Sequence, residues 1–213
     1  MKIALAGYSG LVGQECLQIL IDDNQIEQIV AVGRKKPQVN HAKLIFIESN
    51  FENLHFLEAD ALICCLGTTI KTAGTKDAFE LVDRHFVIRF REAFKNCKIM
   101  AVVSAVGANS KSGIFYNQVK GQMEEDLKHS GLTSLYIMHP SILLGKRMEF
   151  RLGERIGIVL MKVLSPFFIG SLKKYKPIHA EQVAHALVNC VKSGENGHLV
   201  FEGARLFDKA IGH

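Results

Sequence analysis

A chain of 213 residues, 48% of them hydrophobic, can bury one substantial core without disulfide or metal staples, and its length favours one domain. Its net charge of +5 comes from 26 basic and 21 acidic residues, and there is no Trp. The dense basic stripe interleaved with aromatics that marks nucleic-acid binders is therefore missing.

The five cysteines (Cys16, Cys64, Cys65, Cys97 and Cys190) are odd in number and fall mostly in apolar stretches. Buried, reduced thiols are expected rather than a disulfide framework. Adjacent Cys64 and Cys65 would point to opposite faces of a strand, and no His or Cys pair has zinc spacing, so no metal site is expected. The most apolar segment, Ile156 to Leu164, is broken by Lys162 and falls far short of the roughly 20 residues of a membrane span. With Lys2 leading straight into a short apolar run, no leader is read, and a cytoplasmic protein without membrane contact is expected.

Ile3 to Ala6 read as a strand, and Cys16, Leu17, Ile19 and Leu20 carry helical spacing after Gly13. Gly7, Gly10 and Gly13 thus lie where a strand hands over to a helix. There, backbone N–H groups and the positive helix end can face a pyrophosphate. The spacing is Gly-x-x-Gly-x-x-Gly rather than the commoner Gly-x-Gly-x-x-Gly, and an ordinary tight connection is the bland alternative. At the first βα turn of a chain that keeps alternating strand and helix, the triplet points to nucleotide binding.

Gln28 to Gly33 read as a second buried strand, ending in Arg34-Lys35-Lys36. An NAD site places an acid about 20 residues past the last glycine, to hold the ribose 2′-hydroxyl. Here Arg34 and Lys35 stand in that neighbourhood and no acid does, which favours the doubly charged 2′-phosphate of NADP(H). A solvated charge cluster is the alternative.

Lys43 to Glu48 form a short third strand near an edge, and Asp60 to Leu66 a fourth. Gly67-Thr68-Thr69 then suit either a cofactor crevice or a helix cap. Helical periodicity runs from Thr75 to about Phe94, with Phe79, Val82, Phe86 and Phe90 as a core stripe. Lys98 to Val106 is the fifth strand, with Ser104 near its end. The helix from Phe115 to about His129 carries Tyr116 and Lys120 on one face.

That trio is chemically coherent. A free phenol titrates near ~10, too high for efficient proton exchange at neutrality. An ammonium one turn away favours the phenolate, and a serine hydroxyl at the strand end can bond the same carbonyl oxygen. Tyr116, Lys120 and Ser104 are the catalytic candidates, although Ser110 and Ser112 compete with Ser104 from the adjoining loop. Solvated surface roles for Tyr116 and Lys120 are the alternative.

Thr133 to His139 is a sixth strand ended by Pro140, with His139 read as an extended residue making a local hydrogen bond. A helix over Gly153 to Leu164, an apolar turn at Pro166 to Ile169, a helix over Ala180 to Lys192 and a last strand over Leu199 to Glu202 complete the chain. The expected fold is α/β: a Rossmann-type, doubly wound, mainly parallel sheet with helices on both faces. One domain over 1–213 is expected, with its substrate side within about 140–180.

The assembled motifs resemble the atypical short-chain dehydrogenase/reductase superfamily, and more narrowly its Tat-interacting-protein-type NADPH-binding branch. The stretches that carry the resemblance are Gly7 to Gly13, Val32 to Lys36, Cys64 to Thr69, Val82-Asp-Arg84, Ser104 to Asn109, Phe115 to Gly121 and Pro140 to Glu154. The resemblance implies pyrophosphate contacts from Ser9, Gly10, Leu11 and Val12, and 2′-phosphate contacts from Arg34 and Lys35. It also implies a cofactor wall at Leu66 and Gly67, Tyr116 and Lys120 as the active pair, and cofactor contacts from Leu143 and Arg151. Ala105 stands where relatives often have a second serine, and His139 where they often have arginine.

The expected function is NADP(H)-dependent oxidoreduction of a small carbonyl or alcohol, by a monomer or homodimer. The rival is a non-catalytic NADPH-binding regulator or sensor with a protein partner. A sugar-nucleotide epimerase shares the glycine spacing, but the region after Pro140 is short for a separate substrate domain.

Overall fold

The computed structural model describes residues 1–145 and 176–211. Six strands come first: β1 (Lys2–Ala6), β2 (Gln28–Gly33), β3 (Leu44–Glu48), β4 (Ala61–Cys64), β5 (Ile99–Val103) and β6 (Ser134–His139). Two short strands, β7 (Leu143–Leu144) and β8 (Ile178–His179), pair with each other, and β9 (Gly197–Glu202) follows. The main sheet has seven strands in the order β3-β2-β1-β4-β5-β6-β9, every neighbouring pair parallel. Order reverses between β1 and β4, so the crevice at their carboxyl ends is the topological switch point of the sheet. The fold is the Rossmann type expected from the sequence.

Continuous apolar runs explain the central strands. Ile3 to Ala6 and Ala61 to Cys64 are wholly enclosed, as strands covered on both faces must be. On one face pack α1 (Leu11–Asp22) and, near the carboxyl terminus, α6 (Ala180–Ser193), which buries Val183, Ala184, Leu187, Val188 and Val191. On the other pack α4 (Phe86–Ala93) and α5 (Phe115–Lys128). A last helix, α7 (Ala204–Ala210), follows β9. β3 lies at the edge, where Ile45 is exposed.

The helical segment expected over Thr75 to Phe94 is interrupted. Two short helices, α2 (Ile70–Ala73) and α3 (Lys76–Glu80), are capped by Thr69 and Thr75, whose hydroxyl oxygens accept the N–H groups of Thr72 and Ala78. Between α3 and α4 the chain makes one π turn, Leu81–His85. Its extra residue carries the helix axis past Asp83, a carboxylate turned wholly into the interior. The helix expected over Gly153 to Leu164, the apolar turn at Pro166 to Ile169, and Arg151 lie outside the described residues.

Candidate active site

The glycine turn is closed by Gly10 N–H donating to the Gly7 carbonyl at 2.9 Å. Gly7 has φ +79°, and a Cβ there would lie 2.4 Å from the Cys65 carbonyl group. A Cβ on Gly13 would lie 2.1 Å from Gly7 O. Glycine is therefore required at both positions, one by conformation and both by close approach. No side chain caps α1 at Gly10, so the first-turn N–H groups of this 12-residue helix face the crevice. Ser9 is exposed at the crest, Leu11 is half-buried, and Val12 is buried.

The other sequence-predicted positions surround this turn. Leu66, Gly67 and Thr68 leave β4 beside it, and the backbone at Cys65–Leu66 lies against Gly7. Arg34 and Lys35 leave β2 as exposed cations. Leu143 packs against the α1 side of the core, and a Cβ on Gly145 would lie 2.6 Å from a methyl of Leu11.

Lys120 is 3% exposed, and its Nζ lies 2.8 Å from Asp83 Oδ1. The second oxygen of Asp83 accepts the Thr68 N–H at 2.8 Å. Gly67 lies beside both groups, its absent Cβ only 3.4 Å from Asp83 Oδ1 and 3.8 Å from Lys120 Nζ. The glycine turn, the wall after β4 and the α5 lysine thus form one contiguous surface. The Tyr116 ring stands one turn before Lys120, tilted against Phe79 at 5.4 Å between centroids.

Burial works to lower the Lys120 pKa, but Asp83 and Tyr116 outweigh it, and the ammonium is held above its ordinary range. The Tyr116 phenol is raised by burial, pulled down by Lys120, and raised again by Asp83, with a net rise. The sequence suggested that the lysine, with an oxidised nicotinamide nearby, would depress it. Asp83 removes much of that leverage, because the phenol senses a nearly neutral pair rather than a free cation.

Ser104 faces a different partner. Its hydroxyl donates to Glu124 Oε1, and His139 Nε2 lies 2.8 Å from the same oxygen. All three residues are buried. Beyond them, His139 Nδ1 is 3.9 Å from Glu202 Oε2 on the neighbouring strand. His139 therefore bonds across the fold to α5 rather than locally, and Ser104 is joined to the Tyr116 helix through Glu124. Neither acid's role was readable from the sequence, although helical spacing puts each on an inward face. Asp83 lies four residues after Phe79 on the apolar stripe, and Glu124 lies four after Lys120 on the inward face of α5.

No family model matches the chain. It is 30% identical over 205 residues to Protein FMP52-1, mitochondrial, of Scheffersomyces stipitis, spanning 90% of this chain and 88% of that one. It is 31% identical over 170 residues to Protein HTATIP2 of Rattus norvegicus, spanning 72% and 67%. The solved structure of human epimerase family protein SDR39U1 (isoform 2) with NADPH superposes with a TM-score of 0.63 at 16% identity, covering 95% of this chain and 74% of that one. The fungal relatives, named mitochondrial, overturn the cytoplasmic expectation. Reduced thiols report a reducing or shielded environment, which more than one compartment provides. On identity over most of both sequences, and with the Rossmann-type fold that the solved structures share, the chain belongs to the family of FMP52 and HTATIP2.

Proposed function

We propose that this protein is an NADP(H)-dependent oxidoreductase acting on a small carbonyl or alcohol, with the whole site in one Rossmann domain. The observation that carries the reading is the joining of the Tyr116–Lys120 pair to the glycine turn through the Gly67–Thr68 wall. The described residues fit such a coenzyme. The α1 N-terminus and the tight turn would take the pyrophosphate, Arg34 and Lys35 the 2′-phosphate, and Leu66 and Gly67 would form a wall. The coenzyme supplies the hydride when bound. Tyr116 holds the proton to be exchanged, and Lys120, fixed by Asp83, orients ribose and phenol. A phenol kept above its ordinary range stays protonated at neutral pH but is a weaker acid than free tyrosine, so its proton would pass only to the strongly basic alkoxide that develops as a carbonyl is reduced.

The test follows NADPH oxidation against a panel of aldehydes and ketones, with Tyr116→Phe alongside. Turnover that this change abolishes supports the assignment. Tight NADPH binding without turnover on any substrate favours the second reading, a coenzyme-occupied sensor. That reading draws on the same raised phenol and on the commitment of the Ser104 proton to Glu124, which withholds that hydroxyl from a substrate carbonyl.

A further inference from the structure

Tyr8 lies within the glycine turn, yet its side chain leaves the turn and passes beneath the end of β2. The residue is 5% exposed, and its hydroxyl donates to the backbone carbonyl of Lys35. A Cβ on Gly33 would lie 2.8 Å from Tyr8 Oη and 3.0 Å from Cε1, so a side chain at residue 33 and this ring exclude one another. Phe46 of β3 closes over the ring edge-on, with centroids 6.3 Å apart. Burial raises the phenol and Glu48 adds to the rise, so the hydroxyl keeps its proton and remains a donor at neutral pH.

The charged side chains of the loop after β2 do not hold it. Arg34 and Lys35 are exposed, and neither forms an ion pair among the described residues. What anchors the loop is its backbone, through Tyr8. We propose that Tyr8 is a specificity-determining positioning residue, fastening the Arg34–Lys35 loop to the phosphate-facing turn at a fixed separation. The inference rests on the coenzyme reading above and deepens it. A coenzyme with a 2′-phosphate meets both anchored groups at once. One without it uses only the turn and gains nothing from an ordered loop. Without the tie, ordering the loop becomes a cost of binding, paid only by the phosphorylated coenzyme.

The experiment measures equilibrium binding of NADPH and of NADH to the wild-type protein and to Tyr8→Phe, which keeps the ring and removes the bond. Circular dichroism confirms that the variant is folded. The expected result is about a fivefold to tenfold loss of NADPH affinity, with NADH affinity unchanged within about twofold. Wild type preferring NADPH together with an unshifted variant overturns the proposal alone. An equal loss for both coenzymes also overturns it, because Tyr8 would then support the turn and not the discrimination. Wild type that binds NADH as tightly as NADPH overturns the coenzyme reading and this proposal with it.

Discussion

Asp83 and Lys120 face each other across 2.8 Å, with side chains 1% and 4% exposed, at the junction of a π turn and the inward face of α5. An enclosed pair of this kind contributes modestly to stability compared with well-packed apolar residues, but removing one partner leaves an uncompensated charge. Its chemical effect is to fix the lysine while muting the field that the lysine would exert on Tyr116.

Asp83→Asn should therefore separate stability from electrostatics. Loss of the counter-charge is expected to cost about 3–5 kcal/mol in chemical denaturation. The Tyr116 phenol should meanwhile titrate at lower pH than in wild type, because an opposing charge has gone. With four tyrosines and no Trp, phenolate absorbance resolves this, the difference against Tyr116→Phe giving the assignment. The sign of the linkage follows from Lys120. Its raised pKa means that the stabilisation is present below the unfolded lysine value and lost only as pH rises through the folded one. A phenol that titrates identically in both proteins would contradict this account.

Ser104→Ala tests what the strand-end hydroxyl does. Bonded to Glu124 in the interior, it should contribute about 1–2 kcal/mol to stability, read as a fall in Tm, with NADPH affinity unchanged. A fall in kcat with no change in Tm would instead assign the hydroxyl to the reaction.

Arg34→Glu should move coenzyme preference toward NADH. Reversing the charge opposite a 2′-phosphate ought to weaken NADPH binding by at least about tenfold, and calorimetry with both coenzymes would measure it. Unchanged NADPH affinity in this variant would count against the role of that loop.

Lys192→Met probes the tie between the two helices of the α1 face. Lys192 Nζ lies 2.5 Å from Asp23 Oδ2, and this bond, opposed by burial and aided by Gln25 N–H and Lys43, holds the carboxyl below its ordinary value. The partly exposed pair should be worth about 0.5–1 kcal/mol at neutral pH. Because the folded value is depressed, that contribution is present above the unfolded carboxyl pKa and disappears as pH falls through the folded one. Thermal melts of the two proteins should therefore converge on acidification.

The sequence made the scaffold legible wherever a period and its punctuation agreed. Ile3 to Ala6, the glycine turn and the α1 stripe were local signals, and the order of strand and helix then implied the parallel sheet. Tyr116 and Lys120 were legible because four residues on a helix is a local distance. Asp83 and Glu124 were not, since an acid is ordinarily solvated and their partners lie 37 residues away at Lys120 and 20 away at Ser104. Nor was the π turn, because the eleven-residue step from Phe79 to Phe90, both buried, fits about three turns of an ordinary α-helix and so reads as one unbroken stripe. His139 illustrates the same limit: proline fixed its backbone, while its side-chain partner came from another element.

The π turn at Leu81–His85 also makes the site separable from its scaffold. Loss of one codon within it would return the segment to an ordinary α-helix and rotate the upstream half by about 100° relative to the rest. The lysine would then lose its anion while the sheet survived. A lineage could in this way lose the buried pair in one step and keep the scaffold that surrounds it.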